Sequence, residues 1–147
     1  MDSFLLQGFA GFLKLEIQEV FGFPNQIGPF GGYDTKSKLL VESNGFSVIS
    51  SLWLSTGEIF HFYQALKVAH RSLKGEAKFG SSEGNLAFTV TYNVQGQVSI
   101  TGAFTDNNLE DNLLRFEILT DQSYLHKSLA ELGQLVENYG GDYGKRA

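Results

Sequence analysis

The hydrophobic period of this 147-residue chain switches between two and about 3.6 and back again, and that alternation limits its fold more than any other feature. Leu13, Leu15 and Ile17 alternate with Lys14, Glu16 and Gln18, placing three apolar residues on one face of a half-buried strand. Phe4–Leu6 reads as a shorter strand before it, turning through Gly8 and Gly11. Leu39–Val41 and Phe46–Ile49 flank Asn44-Gly45, a pair that tolerates the positive φ angles a two-residue hairpin requires. The second of these strands runs to about Leu54, where Ser55-Thr56-Gly57-Glu58 offers a capping box. Ile59, Phe62, Tyr63, Leu66, Ala69 and Leu73 then recur at steps of three and four. This spacing predicts an amphipathic helix over about 56–73, with Gly75 ending the periodic stretch.

Period two returns in Leu86, Phe88, Val90 and Tyr92, and again in Val98, Ile100 and Phe104 across a turn at Gln95-Gly96. The polar run Asp106–Asn112 makes the next turn and leads into Leu114, Phe116 and Ile118. Thr120 or Asp121 then caps a second helix, whose apolar stripe is Leu125, Leu129, Leu132, Val136 and Tyr139. The tail 140–147 is expected to fray. Hairpin-linked strands separated by single helices argue an α+β fold: a mainly antiparallel sheet with two amphipathic helices packed on one face. The repeated order of strands then helix hints at internal duplication. No linker interrupts the chain, so residues 1–147 are read as a single domain.

Between the second and third strands, residues 22–34 hold both prolines and several glycines, and cannot continue a strand or a helix. Loops this long in a small domain tend to carry function, and its aromatic residues favour a loop packed over the sheet. The 42% hydrophobic content, with 13 Phe and 6 Tyr, supports an apolar core. The absence of cysteine excludes disulfides, Cys-ligated metals and thiol nucleophiles. A net charge of −5 is opposite to what phosphate backbones or anionic membranes attract. No stretch approaches about 20 apolar residues and no basic n-region opens the chain, so a soluble, cytoplasmic protein is expected.

No catalytic set assembles from the spacing. The three histidines are His61, His70 and His126; the first two stand nine apart, so neither helical step that lets two ligands share a metal is present. Glu58 and His61 share a face but supply too few ligands, so neither metal nor cofactor is expected. A serine nucleophile lacks its elbow motif. Asp106, Glu110 and Asp111 read first as turn residues, and Asp121 as a cap. Gly28–Gly32 lacks the lysine of a phosphate loop, and Tyr33-Asp34 follows instead. Trp53 alternates with Leu52 and Leu54, as core or sheet-edge packing would. The chain is read as a non-enzyme.

Charge is unevenly distributed. Residues 1–105 carry eight acids and seven bases, whereas 106–147 carry eight acids and four bases. An acidic face would steer a basic partner toward it. Gly31-Gly32-Tyr33-Asp34, Leu52–Phe60, Leu73–Ala77, Asn85-Leu86 and Phe116–Tyr124 together resemble the WapI-family immunity proteins of bacteria. The resemblance implies a cytoplasmic antidote that binds the toxic C-terminal domain of a polymorphic toxin, often a nuclease, and neutralises it by occlusion. From the loop and charge arguments, the candidate partner-binding residues are Tyr33, Asp34, Asp106, Glu110 and Asp111. The expected partner is a basic toxin domain, with no direct nucleic-acid or membrane contact, and the chain itself is a monomer or weak homodimer joined through strand edges. The alternative is a small-ligand-binding module in which the 22–34 loop closes over an apolar pocket.

Overall fold

Alternately buried and exposed side chains define eight strands in the computed structural model, which describes residues 2–106 and 111–145. Strands β1 (Ser3–Gln7), β2 (Gly11–Val20), β3 (Asp34–Ser43) and β4 (Phe46–Ser55) form one antiparallel sheet in chain order, followed by helix α1 (Thr56–Ser72). Strands β5 (Gly75–Gly80), β6 (Leu86–Tyr92), β7 (Gln97–Thr105) and β8 (Leu113–Asp121) form a second sheet in the same order, followed by α2 (Leu125–Tyr139). The fold is α+β, and each half repeats a four-stranded meander and a helix. The single sheet expected from the sequence is therefore two sheets. Helix α1, 17 residues and about 25 Å long, carries the chain away from β4, so β5 starts a new sheet.

Local chemistry sets the boundaries. Asn44 (φ 49°) and Gly45 (φ 89°) make the β3–β4 turn with both central residues left-handed. The capping box forms as predicted: the Glu58 amide donates to Ser55 Oγ (3.2 Å) and the Ser55 amide to Glu58 Oε1 (2.7 Å). Burial nevertheless pushes the Glu58 carboxyl above its ordinary pKa, against the lowering effect of its bonds to Ser55 and Ser82. Asp121, not Thr120, does the second capping, accepting from the Ser123 amide at 2.9 Å. It caps a single 3₁₀ turn, Gln122–Tyr124, that precedes α2. Thr120 is buried and donates instead to Gln7 O.

The halves interlock at β8. Phe9 N donates to Leu119 O (2.9 Å), Ser43 Oγ to Glu117 O (2.8 Å) and Thr120 Oγ1 to Gln7 O (2.8 Å), so the hairpin ends of the first sheet rest on β8 of the second. Helix α2 lies along β1, where Glu131 Oε1 accepts from Leu5 N and Ser128 Oγ donates to Leu5 O. Helix α1 packs against β5 and α2. One hydrophobic cluster joins both sheets and both helices. At its centre the Phe62 ring meets Phe88 edge-on at 5.2 Å, and Phe79 stacks on Phe88 at 5.1 Å. No helix among the described residues is long and apolar enough to cross a membrane.

Candidate partner-binding surface

The segment between β2 and β3 has no regular structure, yet a fixed set of bonds determines its shape. The Tyr33 amide donates to Thr56 Oγ1 (2.8 Å), which ties the loop's end to the first turn of α1. Gly32 and Gly57 make the approach tight: a Cβ on Gly32 would lie 2.6 Å from Gly57 N, and one on Gly57 would lie 2.6 Å from Gly31 O. Residues 140–145 complete the arrangement. Gly32 N donates to Asp142 O (2.8 Å), while the Tyr33 hydroxyl donates to Pro24 O (2.7 Å) and accepts from Lys145 N (2.7 Å). A bridge between Gly141 and Gly144 closes this last turn. Through Lys145 the backbone groups of the tail find partners in the loop. Arg146 and Ala147 lie outside the described residues.

Docking holds the backbone in place but leaves large side chains in solvent. Phe23 stands edge-on to Tyr33 and Tyr139 at 5.2 and 5.4 Å, and Phe21 leans on Trp53 at 5.4 Å. Phe21, Phe23, Ile27 and Phe30 nonetheless remain 40–56% exposed, and Tyr143 on the tail 73%. The loop does not bury its aromatics over the sheet as expected. Tyr33 is fully buried between loop and tail, whereas the other large apolar side chains keep much of their surface in solvent. Several large apolar side chains are thus exposed on a loop and tail that hydrogen bonds join.

The four described residues among the five singled out from sequence fall in two separate places, Tyr33 with Asp34 and Asp106 near Asp111. Tyr33 is fully buried, so its ring supports the surface from beneath instead of meeting a partner. Asp34 is half-buried at the start of β3, opposite Ser55. Asp106 is half-buried at the other end of β4, bordering a cleft with Ser47–Ser50 and accepting from Asn112 Nδ2 at 3.2 Å. Asp111 beyond it is exposed, and Glu110 lies outside the described residues. The length of β4 separates Asp34 from Asp106, roughly 20 Å at a strand's rise. Sequence reasoning missed Phe30, Tyr143 and Asp142. A signal was present: Gly140-Gly-Asp-Tyr-Gly repeats the glycine and tyrosine content of Gly31-Gly-Tyr-Asp, and the two segments meet in space.

The titratable groups do not form a reacting set. His61 Nε2 bonds Asp142 Oδ1 at 2.9 Å on the exposed side of α1. His70 Nδ1 bonds the Tyr92 hydroxyl at 2.7 Å, and its Nε2 stands 3.4 Å from His126 Nδ1, across the contact between α1 and α2. Burial and then the neighbouring His126 hold His70 below the usual imidazole pKa, and burial raises Tyr92. The Tyr139 hydroxyl is pushed up to about 12 by burial and by its bond to Asp2. Among the described residues no serine bonds a histidine, and no group of three potential ligands could hold a metal ion.

The chain belongs to the Immunity protein WapI-like family, whose model matches residues 5–140. The family is one of non-enzymatic inhibitors, and its general role is toxin neutralisation. No curated protein sequence and no solved structure matches the chain.

Proposed function

We propose that this protein neutralises the basic, nuclease-type toxic domain of a polymorphic toxin in the cytoplasm, occluding it with the surface formed by the 21–33 loop and the 140–145 tail. The observation that carries this reading is the contrast between a backbone tied down at several points and exposed apolar side chains. Phe30 and Tyr143 touch solvent over more than half their area, while Tyr33, Thr56 and Asp142 hold the backbone beneath them. Anchors presented on a pre-ordered scaffold lose little entropy on binding, which concentrates affinity in a few aromatic side chains. The acidic excess of residues 106–147 supports steering of a basic partner and repulsion of nucleic acid.

The test is co-expression with the toxin domain encoded beside it, followed by titration of the purified pair. Phe30→Ala and Tyr143→Ala, each expected to cost about 1–2 kcal/mol as interface anchors, should weaken the complex by roughly tenfold apiece and reduce growth rescue. Wild-type affinity in the double variant would place the contact elsewhere. Failure of the unaltered pair to rescue growth or co-purify would reject that pairing.

A further inference from the structure

Four strands end the two sheets, and on two of them other elements bond the outward backbone groups. Helix α2 lies on β1 and supplies Glu131 and Ser128 to its Leu5 backbone. Helix α1 packs along β5. On β8, Glu117 O and Leu119 O accept from Ser43 Oγ and Phe9 N. The fourth edge is β4. Its two-residue turn makes Ser43 and Phe46 the first bonded pair, so Phe46, Val48, Ser50, Leu52 and Leu54 bond β3 while Ser47, Ile49, Ser51 and Trp53 aim their amides and carbonyls outward. Among the described residues the only bond to this outward row is from Ser50 Oγ to Ser51 O, within the strand itself. A cleft of about 300 Å³ separates Ser47–Ser50 from Phe104, Asp106 and Asn112–Leu114 at the end of the second sheet.

Exposed edges are ordinarily protected by a charge, a proline or a bulge. β4 has none of these: its ten residues, Phe46–Ser55, include no charged residue and no proline, and its register to β3 runs unbroken. Phe46 and Ile49 on it are 69% and 68% exposed. We propose that the β4 edge pairs antiparallel with β4 of a second copy of this chain, forming a two-fold dimer with a continuous eight-stranded sheet.

The sequence of β4 suits its own reverse. A two-fold axis through Ser51 pairs Ser51 with its symmetry mate and sets Ile49 opposite Trp53 of the other copy, twice. Both bonded pairs are β-branched residue against aromatic, a favourable cross-strand combination on a face now in solvent. Three bonded pairs supply about six backbone hydrogen bonds. An uncharged strand places no like charges opposite one another. The nearest facing cations, Lys38 of β3 and its mate, stand three strand spacings apart, roughly 14 Å. That exceeds the screening length at physiological salt.

Sedimentation equilibrium of the purified chain alone, from micromolar to millimolar concentration, tests the dimer without any toxin. Wild type should pass from monomer to dimer mass. Ile49→Lys places a cation opposite Trp53 of the other copy, and Ser51→Pro removes an amide that points away from β3, where proline is tolerated. Both variants should remain monomeric at every concentration, with near-UV circular dichroism of the native form; if one misfolds, the other decides. A wild type that stays monomeric at millimolar concentration overturns the proposal, as does a folded Ile49→Lys that dimerises as wild type does. A monomeric wild type whose toxin binding is lost in Ile49→Lys also overturns it and assigns the edge to a toxin strand. Loss of growth rescue in Phe30→Ala and Tyr143→Ala with dimerisation intact would leave the pairing standing apart from the neutralising surface.

Discussion

His70 shows how one residue can couple stability to pH. It lies between Tyr92 of β6 and His126 of α2, and its folded pKa is below the unfolded value of about 6.5. With the folded value depressed, the unfolded chain takes up the proton first. The stability His70 confers is therefore complete above about pH 6.5 and is lost as pH falls through its folded pKa. Melting temperature should drop more between pH 7.5 and 5.5 in wild type than in His70→Gln. Equal drops would show that the imidazole pair does not couple the helices to pH. Tyr33 teaches a different lesson at this scale: a tyrosine beside an aspartate in a glycine-rich loop suggests a binding residue, yet the ring is core. Its two hydroxyl partners, Pro24 and Lys145, lie more than a hundred residues apart, so no local pattern could reveal the role.

At the scale of elements, the interlock at β8 depends on a missing side chain. A Cβ on Gly8 would sit 2.2 Å from Ile118 Cγ2 and 2.9 Å from Leu119 O. Gly8→Ala should then prise the hairpin end of β1 and β2 from β8 and cost about 1–3 kcal/mol, the range for overpacking, seen as a lower urea midpoint. An unchanged midpoint would mean the sheets slide apart at no cost. Most elements were legible from periodicity: the capped helix, the Asn44-Gly45 hairpin and the strands around Gln95-Gly96 formed where the pattern put them. β5 was not. Its six residues carry two buried side chains, Ala77 and Phe79, between glycines, too short an alternation to stand out beside a helix end. The division into two sheets was equally hidden, since side-chain alternation says which face is buried and not which strands share bonds.

For the whole molecule, the proposed function predicts separable contributions of charge and shape to partner binding. Reversing Asp106, Glu110 and Asp111 to lysine should slow association with a basic toxin and flatten its salt dependence, while dissociation changes little. Stopped-flow association at two ionic strengths measures this, and unchanged rates would remove that acidic turn from the encounter. The sequence disclosed the acidic half but not the aromatic surface, because the loop and tail that build it join only through tertiary contacts. That joining also imposes an order in time. Synthesis reaches Tyr33 long before Lys145, and at ribosomal rates the interval is roughly 6–20 s. Until then the Tyr33 hydroxyl and the Gly32 amide lack their tail partners, so the first half of the nascent chain exists for seconds as an incomplete antidote. On the proposed reading the neutralising surface is completed only by this late-made turn, and a chain stalled short of Asp142 would never close the loop.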